Sequence, residues 1–139
     1  MAPGLRVLAY MPTDARRFRN ILCPVDFSAN ARGALRYAAS VARRGGGHLT
    51  VMFVNDPLLV AAAAAAYDEH ALAVSTEKEL RRFVVAAVGA REAPAVDVLV
   101  ITGDAAREVE KTARRVRADL IVMGSRGLGR TGKLFFGST

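Results

Sequence analysis

The chain has no tryptophan, one cysteine, two histidines and only 6% aromatic residues. A lone cysteine, Cys23, cannot close an internal disulfide, which agrees with a reducing compartment. His48 and His70 are far apart and have no partner at ligand spacing, so no metal site is expected. Tyr37, Tyr67 and the six phenylalanines are too dispersed to form a platform for stacking single-stranded bases. There is no Ser-His-Asp or Cys-His arrangement for nucleophilic catalysis, and no candidate base with a plausible partner. No apolar run reaches the ~18 residues that a spanning helix needs. The run Leu5 to Met11 is interrupted by Arg6, and Ile21 to Val25, behind Arg16-Arg17, is too short for an export signal. A cytoplasmic protein is expected.

What is present suits one domain with a buried core: 139 residues, 52% of them hydrophobic. The net charge is +7, carried mostly by arginine. No block of five like charges exists and the basic residues are scattered. The charge therefore speaks first to solubility, and no specific nucleic-acid partner is evident.

Residues 20–25 (NILCPV) read as a strand that ends in turn chemistry at Asp26 and Ser28. Pro24 donates no ladder hydrogen bond and is tolerable only near the strand's end. Ser28 is placed to cap a helix from about Ala29 to Arg43, with Ala31, Leu35, Ala38 and Ala42 as its apolar stripe. Gly45-Gly46-Gly47 stops it. A second strand, His48 to Asn55, is followed by an Asp56 cap and Pro57 at the first helical position. The stretch from Leu58 to about Val88 reads as largely helical. A third strand, Val96 to Thr102, leads into a helix opened by Gly103-Asp104 and running to about Val116. Its acids come first and its bases last, which suits the helix dipole. A fourth strand covers Asp119 to Met123.

Alternating strands and helices, with strands apolar on both faces, predict an α/β fold: an open parallel sheet with helices on both faces and strand order 3-2-1-4. Ligands of such sheets sit beyond the carboxyl ends of the strands. Here those ends carry Asp26-Phe27-Ser28, Asn55-Asp56, Gly103-Asp104 and GSRGLGRTGKLFFGST from Gly124 onward. The last segment has glycines at 124, 127, 129, 132 and 137, interspersed with Arg126, Arg130, Lys133 and several hydroxyls. Such a loop permits close backbone approach to phosphate oxygens. The P-loop pattern fails, because Leu134 stands where a hydroxyl is required. GxGxxG occurs at Gly127 to Gly132, but after the fourth strand rather than the first.

The spacing Gly124, Gly127, nine residues, Gly137-Ser138 is that of the nucleotide motif of the universal stress protein family, which residues 17–139 resemble. The opening ILCPVDFS is similar to that family's first strand and aspartate. The stretch ITGDAAREVEKTARRVRADLIVMGSRG resembles its third strand, third helix and fourth strand in order. Residues 1–16 form an N-terminal extension outside the resemblance. The resemblance implies a Rossmann-like fold of the adenine-nucleotide α-hydrolase type and a regulatory module of stress response that binds ATP or AMP, with or without Mg. Slow ATP hydrolysis is the one activity it leaves open.

Carried over by position, Asp26 and Val54 would contact adenosine, and Met123 and Gly124 would line the same cleft. Gly127, Gly137 and Ser138 would hold the phosphates, with Arg126 and Arg130 as helpers. For Asp26, a turn or capping role ahead of the following helix is the structural alternative. Family domains continue into a further helix and strand, whereas this sequence stops at Thr139 and is expected to be C-terminally truncated relative to them. The Leu5 to Met11 run could in principle supply a replacement strand. Without the family's fifth strand, the strand from Asp119 to Met123 would lie at an open edge, and a homodimer is expected. A nucleotide-free dimeric interaction protein of the same fold is the alternative. An adenylating enzyme has only Lys133 to recommend it.

Overall fold

The computed structural model describes residues 7–8, 18–65 and 68–124. In chain order the elements are β1 (Val7–Leu8), β2 (Asn20–Pro24), α1 (Ala29–Gly45), β3 (His48–Asn55), α2 (Pro57–Ala64) and α3 (Glu69–Val88). A 3₁₀ turn (Ala93–Ala95), β4 (Asp97–Thr102), α4 (Ala105–Arg115), β5 (Leu120–Ile121) and β6 (Met123–Gly124) follow.

The period-two alternation of strand side chains sorts the apolar residues onto two faces. Ile21, Cys23 and Val25 of the β2 region join Leu49, Val51, Leu120 and Val122 in a core covered by α1 and α3. The residues between them, Leu22 and Met52, meet Val109 of α4 on the opposite face, flanked by Val54, Leu99, Ile101 and Ile121. The parallel sheet therefore has helices on both sides, and its order β4-β3-β2-β5 is the expected one. The register pairs Ile21 with Leu49 and Leu120, and Leu22 with Thr50 and Ile121. Asp119 fixes that start: its carboxylate accepts from the backbone N–H groups of Arg19 (2.9 Å) and Asn20 (3.0 Å).

Local chemistry sets the helix ends. The Ser28 hydroxyl accepts from the Ala31 N–H at 3.1 Å, and Gly46, at φ 67°, ends α1 in the left-handed conformation that glycine adopts without steric cost. Asp56 and Asp104 cap α2 and α4 in the same manner, accepting from Leu58 N–H at 2.8 Å and Arg107 N–H at 3.0 Å. All four expected stripe residues of α1 are buried, together with Ala34 and Ala39.

Two features differ from the sequence reading, and a third, the exposure of α2, is not addressed by it. The helical stretch after Pro57 is two helices, because Asp68 caps a new one at Glu69, accepting from the His70 N–H at 3.2 Å. The helix α2 buries no residue, leaving Leu58 79% and Leu59 69% exposed. The fourth strand changes partner midway. Leu120–Ile121 run parallel to β2, while Met123–Gly124 pair antiparallel with Val7–Leu8. In the parallel ladder Asn20 and Leu22 serve β5, accepting from Asp119 and Val122, so Pro24 comes next in that row. Proline has no N–H to donate, so the β2–β5 ladder stops there. Val7–Leu8, the described part of the Leu5 to Met11 run, thus supply a short antiparallel partner to Met123–Gly124.

Candidate functional site

The strand order reverses at β2: β3 and β4 lie on one side of it and β5 on the other. A crevice at such a reversal, beyond the carboxyl ends, is where open α/β sheets take ligands. Here Val122 donates its N–H to the Leu22 carbonyl of β2 at 2.9 Å, and Gly124, two residues on, packs on Asn30 in the first turn of α1.

Asp26 is half-buried in the turn that leaves β2. Its Oδ1 accepts from the Ser28 N–H at 3.0 Å, so the turn role expected of it is real. A carboxylate has about four acceptor positions on two oxygens, so this bond leaves capacity for ligand hydroxyls. Gly124 lies against the same helix start. A Cβ built there would stand 2.9 Å from the carbonyl carbon of Asn30 and 3.0 Å from its oxygen, so this position needs glycine for close backbone approach. Gly124 therefore lies beside the first turn of α1, which carries no acidic residue. Helix N-termini favour anions through their free N–H groups and dipole.

Met123 is buried. Val54 lies one strand further over. It lines an open cleft of about 450 Å³ with Asp56, Pro57, Leu58, Gly103, Asp104 and Ala105. The structure thus places Asp26 in the turn that leads into α1, Gly124 against Asn30 in the first turn of the same helix, and Val54 in a separate cleft at the ends of β3 and β4. Arg126, Gly127, Arg130, Gly137 and Ser138 lie outside the described residues.

Two participants in this region escaped the sequence reading. Asn30 packs on Gly124, a contact no local pattern announces. Phe27 holds φ 66°, a conformation the sequence signals through glycine, asparagine or aspartate rather than phenylalanine. Cys23, next to the site in sequence, is fully buried, and that burial pushes its thiol well above the usual range. It is a small hydrophobe here, not a nucleophile. Among the described residues no group of three or more His, Cys, Asp or Glu is placed to hold a metal ion, and no helix is long and apolar enough to cross a membrane.

A four-stranded parallel sheet with this order and a candidate site at its reversal defines the class as α/β of the Rossmann-like kind. The family model described as the universal stress protein family matches residues 17–139. The chain belongs to that family. A "universal stress protein in QAH/OAS sulfhydrylase 3′region" of Thermus aquaticus is 34% identical over 123 residues, 87% of this chain and 87% of that one. The solved structure of universal stress protein UspA from Lactobacillus plantarum is 28% identical and superposes with a TM-score of 0.58, covering 82% of this chain and 81% of its own. A universal stress protein solved in complex with cAMP shares the fold at 16% identity and a TM-score of 0.52, over 74% of this chain and 69% of that one.

Proposed function

We propose that this chain is a cytoplasmic regulatory module that binds an adenine nucleotide, ATP or AMP, with Mg accompanying ATP. The observation that carries the reading is that Asp26 closes the turn into α1 through the Ser28 N–H while Gly124 packs on Asn30 in the first turn of that helix, beside the reversal in strand order. Asp26 accepts from the ribose hydroxyls. The backbone at Val54 meets the base in the cleft beyond β3, and Met123 and Gly124 line the path between the two. Gly127, Gly137 and Ser138 hold the phosphates, assisted by Arg126 and Arg130. That a protein of the same fold was solved with cAMP, itself an adenine nucleotide, supports the ligand class. The output of binding is regulation, expressed through a partner or an assembly state.

The test is calorimetry with ATP and adenosine. Asp26→Ala is expected to weaken both by about tenfold or more, the effect of losing hydrogen bonds to a charged acceptor. Gly127→Val is expected to harm ATP far more than adenosine, because its contacts are to phosphates. Absence of both heat and thermal shift with wild-type protein at ~5 mM ATP would overturn the reading, since ligand well above its dissociation constant must raise stability.

A second reading, a nucleotide-free dimeric interaction protein, is favoured by the uncovered apolar helix α2, with Leu58 and Leu59 at the surface. It predicts a dimer that ATP leaves unchanged. Sedimentation as a monomer at ~50 µM, where weak interfaces populate, would exclude it.

A further inference from the structure

Two non-glycine residues among those described have positive φ: Arg117 at 56°, just past the end of α4, and Phe27 at 66°. For Arg117 the position is ordinary, since helices often end through one left-handed residue. Phe27 is different. It sits between a strand and a helix start, where an extended residue would serve, and the left-handed conformation is unfavourable for a side chain of this kind. Such a residue persists when its surroundings over-determine it.

The surroundings here are two other rings. Phe27 stacks at 4.6 Å, tilted by 38°, against Phe53 of β3, and meets Phe83 of α3 edge-on at 5.4 Å and 84°. Both are favourable aromatic geometries. The guanidinium of Arg32, one turn into α1, lies 5.7 Å from the centre of the Phe83 ring. A left-handed residue and its anchored ring therefore separate Asp26 from Ser28, and the Asp26 Oδ1–Ser28 N–H bond closes over that residue. Any relaxation of Phe27 toward extended backbone must swing Asp26 relative to the cap of α1.

We propose that Phe27 is a positioning residue: its ring, held by Phe53 and Phe83, locks the turn that directs Asp26 into the crevice, so the seating of α3 sets nucleoside affinity. The affinity part rests on the reading that Asp26 contacts the nucleoside; the locking of the turn does not.

Two measurements on the full chain keep these apart: amide hydrogen exchange at Ser28, and adenosine affinity. Phe27→Gly accepts the positive φ but removes the anchor, and is expected to speed Ser28 exchange about tenfold, the worth of two aromatic pairs. It should weaken adenosine by a similar factor, while Leu22 and Cys23 in β2 keep their protection. Phe27→Tyr keeps the ring and restores both. Phe83→Leu, which leaves the turn's own sequence intact, produces the same pattern in weaker form and stands in should Phe27→Gly not fold. Unchanged Ser28 exchange in Phe27→Gly and Phe83→Leu overturns the proposal, whether or not adenosine binds. Faster Ser28 exchange with unaltered adenosine affinity overturns the link between α3 and the ligand. If wild-type protein binds no adenosine, the nucleotide reading fails, and the Ser28 exchange alone decides whether Phe27 locks the turn.

Discussion

Gly124→Ala is the sharpest test of how the site is assembled. The added Cβ would sit 2.9 Å from the carbonyl carbon of Asn30, 3.0 Å from its oxygen and 3.1 Å from its Cβ, against 3.4–4 Å for ordinary contact. The obstacle is backbone, so no side-chain rotation relieves it, and either β6 or the start of α1 must retreat by about half an ångström. The helix resists, because Ala31, Ala34, Leu35, Ala38, Ala39 and Ala42 are all buried in its packing. Forcing a methyl into such a contact costs roughly 1–3 kcal/mol. The reduced freedom of the unfolded chain returns about 0.4–1 kcal/mol. The net expectation is a loss of about 1–2 kcal/mol, read in urea as a midpoint lowered by roughly 0.5–1 M at a slope near 2 kcal/mol/M. Gly46→Asn is the matched control. It sits at φ 67° with nothing within 4 Å of a built Cβ, and asparagine tolerates that conformation. A midpoint for Gly124→Ala equal to or above wild type would refute the close packing of β6 on α1, and with it the placing of Gly124 at the start of that helix.

Burial holds the Cys23 thiol protonated in the folded chain above the 9.0 at which it would ordinarily ionise. Its contribution to stability is whole below about pH 9 and is lost as pH rises beyond it, by up to roughly 1.4 kcal/mol per pH unit. Urea unfolding of wild type and Cys23→Ala at pH 7 and pH 10 should show the gap between them shrinking by about 1 kcal/mol or more; a constant gap would disprove it. Asp119→Ala removes the acceptor of two backbone N–H groups at the start of β2 and should cost about 2–3 kcal/mol, with Asp119→Asn recovering part of it. Equal stability of wild type and Asp119→Ala by denaturant titration would remove Asp119 from the register-setting role.

By itself the sequence determined whatever depends on near neighbours along the chain. Strand alternation, the caps Ser28, Asp56 and Asp104, the stop at Gly46 and the buried stripe of α1 were all legible, because a capping bond spans two or three residues and an apolar stripe repeats every turn. Handedness and the two-faced apolar strands then left few topologies, and the observed order β4-β3-β2-β5 is among them. Asp26 and Gly124 stood out as candidates because they follow strand ends and match positions of the motif that the sequence resembles. Tertiary structure decided what links residues far apart in the chain. Only the ladder geometry reveals that Pro24 ends the β2–β5 pairing and that Met123–Gly124 then take Val7–Leu8 as partner, more than a hundred residues away in sequence. The left-handed backbone of Phe27 exists because Phe53 and Phe83 arrive from β3 and α3 to hold its ring. No propensity encodes that, since the local cost of the conformation is overcome by contacts that form only when the sheet and its helices close.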